Sequence, residues 1–417
     1  MTTADLDTDI ATIRDALIDL YKDLHAHPEL GFAEHRTSAE IARRATTLGY
    51  NVVSGVGRTG VVATLSNGPG PTVLLRADMD ALPVREQTGL PYASTATDPE
   101  SGSPVMHACG HDVHVTCLLG ALEILARARS TWSGTLIAVF QPNEELGAGA
   151  QAMVDDNFFE RFGTPDVVLG QHVMPLPVGM LAMHPGAAMA STDAWKVTLY
   201  GRGSHGSQPE RAIDPVVMAA ATVLRLQTVV SREIGGGDTA VVTVGSMRAG
   251  TQNNIIPDQA ELQLNIRTYT PEVRERVLTA VRRIIQAEAT ASGAQRDPDI
   301  EVIDTFPITT NDPGAVDRTL EALGARFGAH NIIDPGPVTG SEDVGIFATA
   351  SGAPLCYWFI GGTDPATFAA AQEKGTTAQD IPSNHSPHFA PVIEPTLDIG
   401  VAALITAALT WLGDPAS

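Results

Sequence analysis

The chain has 417 residues, 43% hydrophobic and 18% charged, the composition of an ordinary globular protein with room for two or three domains. Its formal net charge of −22 argues against nucleic acid and anionic membrane surfaces as partners. Three cysteines, at 109, 117 and 356, give no disulfide framework and suit a reducing cytoplasm.

The opening residues, MTTADLDTDI, carry neither a basic n-region nor an apolar h-region, so no signal peptide is expected. Ile10, Ile13, Leu17, Leu20 and Leu24 recur at a 3-4-3-4 spacing and predict an amphipathic helix over 7–26, broken at Pro28. A second helix is expected over about 35–48, ending at Gly49. Strands follow at 61–65 and 72–76 around the turn NGPGP. A helix over 112–128, a strand at 134–140, a helix around 148–156 and a strand at 166–170 then alternate as in a doubly wound α/β sheet.

After residue 192 the pattern changes. A strand at 194–201, a helix over 212–231, strands at 239–247 and 260–269, a helix over 271–291 and a strand at 300–304 give the order βαββαβ. That is the ferredoxin-like arrangement, read here as an inserted domain. From about 307 the α/β pattern resumes with a helix over 313–328, a strand at 353–361, a surface loop over 363–384 and a last helix from about 394. The apolar run IGVAALITAALTWL (399–412) is too short to span a bilayer and reads as a core helix. The expected division is therefore a catalytic domain in two parts, 1–190 and 307–417, with the insertion at 191–306 between them.

Chemistry gathers at the ends of the predicted strands. RADMD (76–80) follows TVLL, QPNEE (141–145) follows GTLIAVF, and GQH (170–172) follows DVVL. Cys109 and His111, two apart, precede the helix over 112–128. In open α/β sheets the active crevice lies at the carboxyl ends of the strands, so these clusters are expected to converge. A helix N-terminus favours the Cys109 thiolate, and thiolate, imidazole and carboxylate together suit Zn²⁺ or a related transition metal. His385 or His388, in NHSPHF, is a further candidate ligand. Each signal has an ordinary reading alone: a buried small cysteine, a solvated pair at Glu144–Glu145, turn-forming or helix-capping aspartates at 78 and 80, a structural His172. Their convergence carries the case. Cys117 and Cys356 lie in apolar runs and read as core residues, while His25, His27, His35, His107, His114 and His184 are left with structural, surface or supporting roles.

The segments LHAHPELGFAEHRTS, LLRADMDALPV, MHACGHDVH, FQPNEE, GQH, GRGSHGSQPERAIDP, AGTQNNIIPD, TGSEDVG and HSPHF occur in this order from about residue 24 to 389. Together they resemble the co-catalytic metallopeptidase family of aminoacylases, carboxypeptidases and hippurate hydrolases, and within it the amidohydrolase branch that includes the plant indole-acetyl-amino-acid hydrolases. The resemblance implies a dimetal α/β catalytic domain interrupted by a ferredoxin-like lid that also forms a dimer interface. It implies two divalent metals per subunit, zinc or manganese with cobalt or nickel as alternatives, held by Cys109, His111, Glu145, His172 and His385. Glu144 matches the general base, and Asp80 a carboxylate that orients groups around the metals. His205 matches a lid histidine that reaches a neighbouring subunit's active site. Asn254 and Arg267 match positions that bind the substrate's amino-acid part. Asn143 stands where the family commonly has alanine, and Leu146 opens the run that is usually glycine-rich, so both bear on pocket shape.

The function implied is hydrolysis of N-acyl amino acids in the cytoplasm by a homodimer or higher homo-oligomer, Glu144 taking a proton from a metal-activated water. The alternative is a metallo-exopeptidase, a carboxypeptidase or dipeptidase acting on short peptides. A zinc deaminase is disfavoured because the chain lacks the H-x-E and P-C-x-x-C pair. A binding protein with a dead site is disfavoured because Glu144 and every ligand position are present.

Overall fold

The computed structural model describes residues 3–414; the outermost residues of the two expected catalytic segments, 1–2 and 415–417, lie outside the described residues. The chain divides into two compact units. The first comprises Met1–Ala188, Thr310–Gly336 and Asp343–Ser417, and the second Met189–Thr309 with the short segment Pro337–Glu342.

The first unit is a mixed α/β fold. Its sheet has eight strands in the order Asn51–Val56, Gly60–Asn67, Gly134–Gln141, Thr72–Asp78, Val167–Pro177, Leu355–Thr363, Leu181–Ala182 and Ile332–Ile333. Thr72–Asp78 pairs in parallel with both Gly134–Gln141 and Val167–Pro177, and the latter in parallel with Leu355–Thr363. The outer strands Asn51–Val56 and Gly60–Asn67 are antiparallel. Successive residues of the central strands are buried regardless of parity, so both sheet faces are covered. Val73, Leu75, Leu136, Ala138, Leu169 and Trp358 pack in one cluster with the helices Thr3–Ala26, His111–Arg127 and Ile393–Trp411. Residues of the other parity, such as Leu74, Ile137 and Val168, are fully buried as well.

The helix Ile393–Trp411 is long and apolar enough to cross a membrane by length and composition, against the shorter run read from sequence. More than half of it, 56% of the window, is buried in the unit's core, the packing of a core helix.

The second unit is a four-stranded antiparallel sheet in the order Ala240–Ala249, Gln259–Thr268, Ser191–Tyr200 and Asp299–Phe306. Leu262, Leu264 and Ile266 alternate with half-exposed residues and face a core shared with Trp195, Val197, Met218, Leu226, Val277 and Val281. The last four come from the helices Pro215–Thr228 and Pro271–Ala291, and Trp195 and Val197 from the strand Ser191–Tyr200.

Three local readings change. The expected loop over 363–384 contains the helix Pro365–Lys374, capped by Asp364, whose carboxylate accepts the Thr367 amide at 2.8 Å. Only Ala371 of that helix is buried, so there was no apolar stripe to read. The helix expected from 212 starts at Pro215, because Asp214 caps it and proline occupies its first position. The strand Asn51–Val56 was missed because it is a largely exposed edge strand with Asn, Ser and Gly in it.

Candidate metal centre

Parallel pairing sends the carboxyl ends of Thr72–Asp78 and Gly134–Gln141 in one direction. Asp78 and Asp80 lie at the end of the first, Glu144 and Glu145 in the turn after the second, and His172 on Val167–Pro177, which pairs with the first on its other side. Cys109 and His111 straddle Gly110, which precedes the helix His111–Arg127 with φ 84°. A Cβ on Gly110 would stand 2.3 Å from Val173 Cγ1, so both the backbone angle and the space demand glycine.

Among the described residues the predicted ligands of the first unit meet in two triads that share one sulfur. Donor atoms of Cys109, His111 and His172 lie within 4.8 Å of one another, and so do those of Cys109, Glu145 and His385. Cys109 Sγ is 3.4 Å from His172 Nε2, and His385 Nε2 is 3.3 Å from Glu145 Oε2. His111 Nε2 is 3.7 Å from Glu145 Oε1 and 4.0 Å from Glu144 Oε2. His111 Nε2 and Glu145 Oε1 are buried without a hydrogen-bond partner. Buried polar atoms are rarely left so, and here they aim into a cluster of electron-pair donors that a divalent cation would satisfy. The donor set of one thiol, three imidazoles and a carboxylate fits borderline-soft divalent ions.

The electrostatics point the same way. Burial, then the charges of Glu145 and Glu144, push the Cys109 thiol well above its ordinary value. The helix N-terminus does not win by itself, contrary to the expectation from sequence, and a thiolate here needs a cation beside it. Burial opposes the charged form of His111, but Asp78, Asp80 and Glu145 outweigh it and raise its pKa to about 10. His172 is held far below the ordinary value by burial and by His114. Its Nδ1 donates to the Val173 carbonyl at 2.8 Å, which leaves the Nε2 lone pair facing Cys109.

Supporting residues fix these groups. Asp80 accepts the backbone amides of Glu144 at 3.0 Å and Glu145 at 3.1 Å, and lies 3.3 Å from His111 Nδ1. It is neither a turn former nor a helix cap. His114 accepts the Val173 amide on Nε2 at 2.8 Å and donates from Nδ1 to Asp78 at 2.5 Å. Both nitrogens are engaged, which suits His114 to a supporting role although its donor atoms lie close to those of Asp78 and His111. Asp78 is held in turn by Arg76 at 2.7 Å, and Arg76 reaches Asp343 at 3.1 Å, all fully buried. Removing one partner strands buried charge, so Arg76→Leu is expected to cost about 3–5 kcal/mol, read by urea unfolding. A loss below about 1 kcal/mol would contradict a structural role for this pair.

His388 is turned away, its Nδ1 donating to the Gln87 carbonyl at 2.9 Å, so of the two candidates in NHSPHF only His385 joins the cluster. Asn384 donates to the carbonyls of Cys109 at 3.2 Å and Val173 at 3.1 Å, tying the His385 segment to the cysteine. Leu146 is exposed immediately after the paired glutamates. Cys117 and Cys356 are buried in the core as read. His205, Asn254 and Arg267 belong to the second unit. There the strands Ser204–His205 and Ile255–Ile256 pair, and the Asn254 carbonyl accepts the Gly206 amide at 2.7 Å, which brings His205 and Asn254 together. Arg267 donates to the Thr339 carbonyl at 2.5 Å and to Asn265 at 3.0 Å.

Glu34 was missed, and His25 was left among histidines of structural, surface or supporting role. His25 is buried between Asp112 at 2.6 Å and Glu86 at 3.1 Å. Burial opposes its charge, but the two carboxylates win and raise its pKa to about 10, so an imidazolium locks the first turn after His111. Glu34 is buried, and burial followed by the charge of Asp80 raises its carboxyl to about 7. Both lie in LHAHPELGFAEHRTS, a segment that carried the resemblance without any site residue being read from it.

The model of the peptidase family M20/M25/M40 matches residues 74–383. The chain belongs to that family. Among its M20 relatives, the hippurate hydrolase of Campylobacter jejuni is 39% identical over 327 residues, 78% of this chain and 82% of that protein. Thermostable carboxypeptidase 2 of Saccharolobus solfataricus is 34% identical over 411 residues, 97% of this chain and 98% of its own. In structure the chain is similar to a dinuclear metal-binding M20 peptidase from Bacillus subtilis, with a TM-score of 0.75, 29% identity, and coverage of 96% of this chain and 98% of that one. The resemblance carried by the ordered motifs is thereby borne out, and M20 membership makes the chain an amidohydrolase.

Proposed function

We propose that the protein hydrolyses the amide bond of N-acyl amino acids, with Glu144 as general base and Cys109, His111, Glu145, His172 and His385 holding two divalent metals, zinc or manganese. The observation that carries this reading is the pair of triads sharing Cys109, with Glu144 beside both but outside them. Metals bound there supply Lewis acidity, polarising the amide carbonyl and lowering the pKa of water. Glu144 takes the proton of the attacking water and returns it to the leaving amine. Asp80, bonded to the amides of both glutamates, orients the pair. Arg267 pairs with the substrate's α-carboxylate, for which a guanidinium is the geometric match, and Asn254 contacts the same part.

A second reading, an exopeptidase acting on short peptides, draws on the carboxypeptidase relative that matches nearly the whole chain. Rates on acetyl- and benzoyl-amino acids against Gly-X dipeptides separate the two. The first reading expects the acylated amino acids to have the higher kcat/KM, and a preference for dipeptides would replace it with the second.

In the same reading the catalytic domain spans 1–190 and 307–417, and 191–306 is a ferredoxin-like lid through which the chain forms a homodimer. Two features support this. The second unit's strands and helices run in the order βαββαβ. Val217 and Leu224, seven residues apart on one helix face, are 64% and 74% exposed, and Ala240–Ala249 is an edge strand. His205 then stabilises the oxyanion in a neighbouring subunit's site. His205→Ala is expected to lower kcat by about 10²–10³-fold. Mixed with Glu144→Ala protein and allowed to exchange subunits, it is expected to regain activity. Heterodimers without recovery would remove His205 from a shared site. The reading places the enzyme in the cytoplasm.

A further inference from the structure

The turn that carries the paired glutamates hangs by its own backbone amides from two buried carboxylates. The Asn143 amide donates to Glu34 Oε1 at 2.9 Å, and the next two amides donate to the two oxygens of Asp80. Three consecutive amides of the turn thus donate to the oxygens of two buried acids, which hold its backbone in place. Asp80 already has a place near the metals. Glu34 has none, yet it is 0% exposed, and leaving a carboxyl inside a protein is costly unless it is well bonded.

Its surroundings show what it holds. Glu34 occupies the N-cap position of the helix His35–Thr47 but makes no side-chain cap bond to that helix. Instead Oε1 reaches Asn143, 109 residues away, and Oε2 accepts the Thr59 hydroxyl at 2.5 Å. Asn143 has φ 46°, in the left-handed region that non-glycine residues enter at a cost and asparagine tolerates best. This accounts for asparagine, rather than alanine, immediately before the pair. The same segment closes over the Asn143 side chain: a Cβ on Gly31 would stand 1.9 Å from Asn143 Oδ1. Gly31 and Glu34 thus grip one residue, by its side chain and by its amide.

A left-handed residue directly before Glu144 sets the direction in which the chain enters the pair. If the amide of Asn143 is released, that residue relaxes towards ordinary backbone angles and the Glu144 carboxylate moves with it. We propose that Glu34 is a positioning residue for the hydrolysis: it holds the Asn143 amide, and through it the left-handed turn that aims Glu144 at the reacting atoms. The proposal rests on Glu144 being the base in the amide hydrolysis proposed above.

The test compares Glu34→Gln, which keeps an oxygen for the Asn143 amide, with Glu34→Ala, which removes it, and Glu34→Asp, which withdraws it by one methylene. Misplacing a catalytic group by about 1 Å costs up to about 10²-fold, so kcat is expected to fall about 10–100-fold in the alanine and aspartate variants. KM is expected to stay within about twofold, because substrate contacts are untouched. Metal content is expected to be unchanged, and Glu34→Gln to retain kcat within about threefold of the parent. Hydrogen exchange at the amides of residues 143–145 is expected to quicken in Glu34→Ala and not in Glu34→Gln. If the alanine variant does not fold, the aspartate variant gives the same reading. Full kcat in a folded alanine or aspartate variant overturns the proposal. So does unchanged exchange at those amides, or loss of metal in step with kcat. Absence of turnover by the parent protein on every N-acyl amino acid would instead overturn the functional reading, and the exchange measurement would still decide whether Glu34 holds the turn.

Discussion

Glu144→Ala protein is expected to keep its metals and lose turnover, with kcat lower by about 10²–10⁴-fold, the usual contribution of a positioned general base. Neither triad that shares Cys109 needs Glu144, so its removal leaves every proposed ligand in place. The side chain is buried beside His111, and its backbone is fixed through Asp80. Adjacent side chains on one turn diverge, which lets Glu145 face His385 while Glu144 lies beside His111. The check is elemental analysis together with single-turnover rates. Near-parental turnover with metals bound would remove Glu144 from the base role. Metal loss in step with turnover would make it a ligand instead.

The second large effect separates the cysteine from the histidines. Cys109 is the one residue common to both triads, whereas His172 serves one of them. Cys109→Ala is therefore expected to lose metal from both positions, while His172→Ala keeps the Cys109, Glu145 and His385 group and with it about half the metal. Losing several kcal/mol of Lewis-acid stabilisation predicts an activity loss of at least about 10³-fold in Cys109→Ala. The site is built around a buried sulfur whose thiol form burial and two glutamates favour, so the thiolate needs a cation beside it. Equal metal loss in Cys109→Ala and His172→Ala would contradict a shared sulfur.

The sequence exposed the outline of this site because its chemistry is placed by simple rules. Polar clusters directly after apolar strands mark the carboxyl edge of a parallel sheet, and Cys109-Gly110-His111 opens a helix at that edge. What remained hidden depends on contacts no local pattern encodes. Glu34 reaches Asn143 across 109 residues, and His25 meets Asp112 across 87. The closure of both His114 nitrogens, by Asp78 and by the Val173 amide, is likewise visible only once strand and helix are packed. The protonation balance of Cys109 went the other way from the local argument, since a helix dipole is weaker than burial among carboxylates. In the fold, long stripes were legible and exposed elements were not. Ile10, Ile13, Leu17, Leu20 and Leu24 are all buried on one helix, whereas the edge strand Asn51–Val56 and the helix Pro365–Lys374 bury too little to leave a period.

The most direct measurement is metal content by elemental analysis alongside hydrolysis of a panel of N-acyl amino acids, before and after a chelator. The account predicts two ions per chain, one for each triad, with hydrolysis abolished by the chelator and restored by zinc or manganese. Full hydrolysis by metal-free protein, or a fully metallated protein that cleaves no N-acyl amino acid, would contradict it.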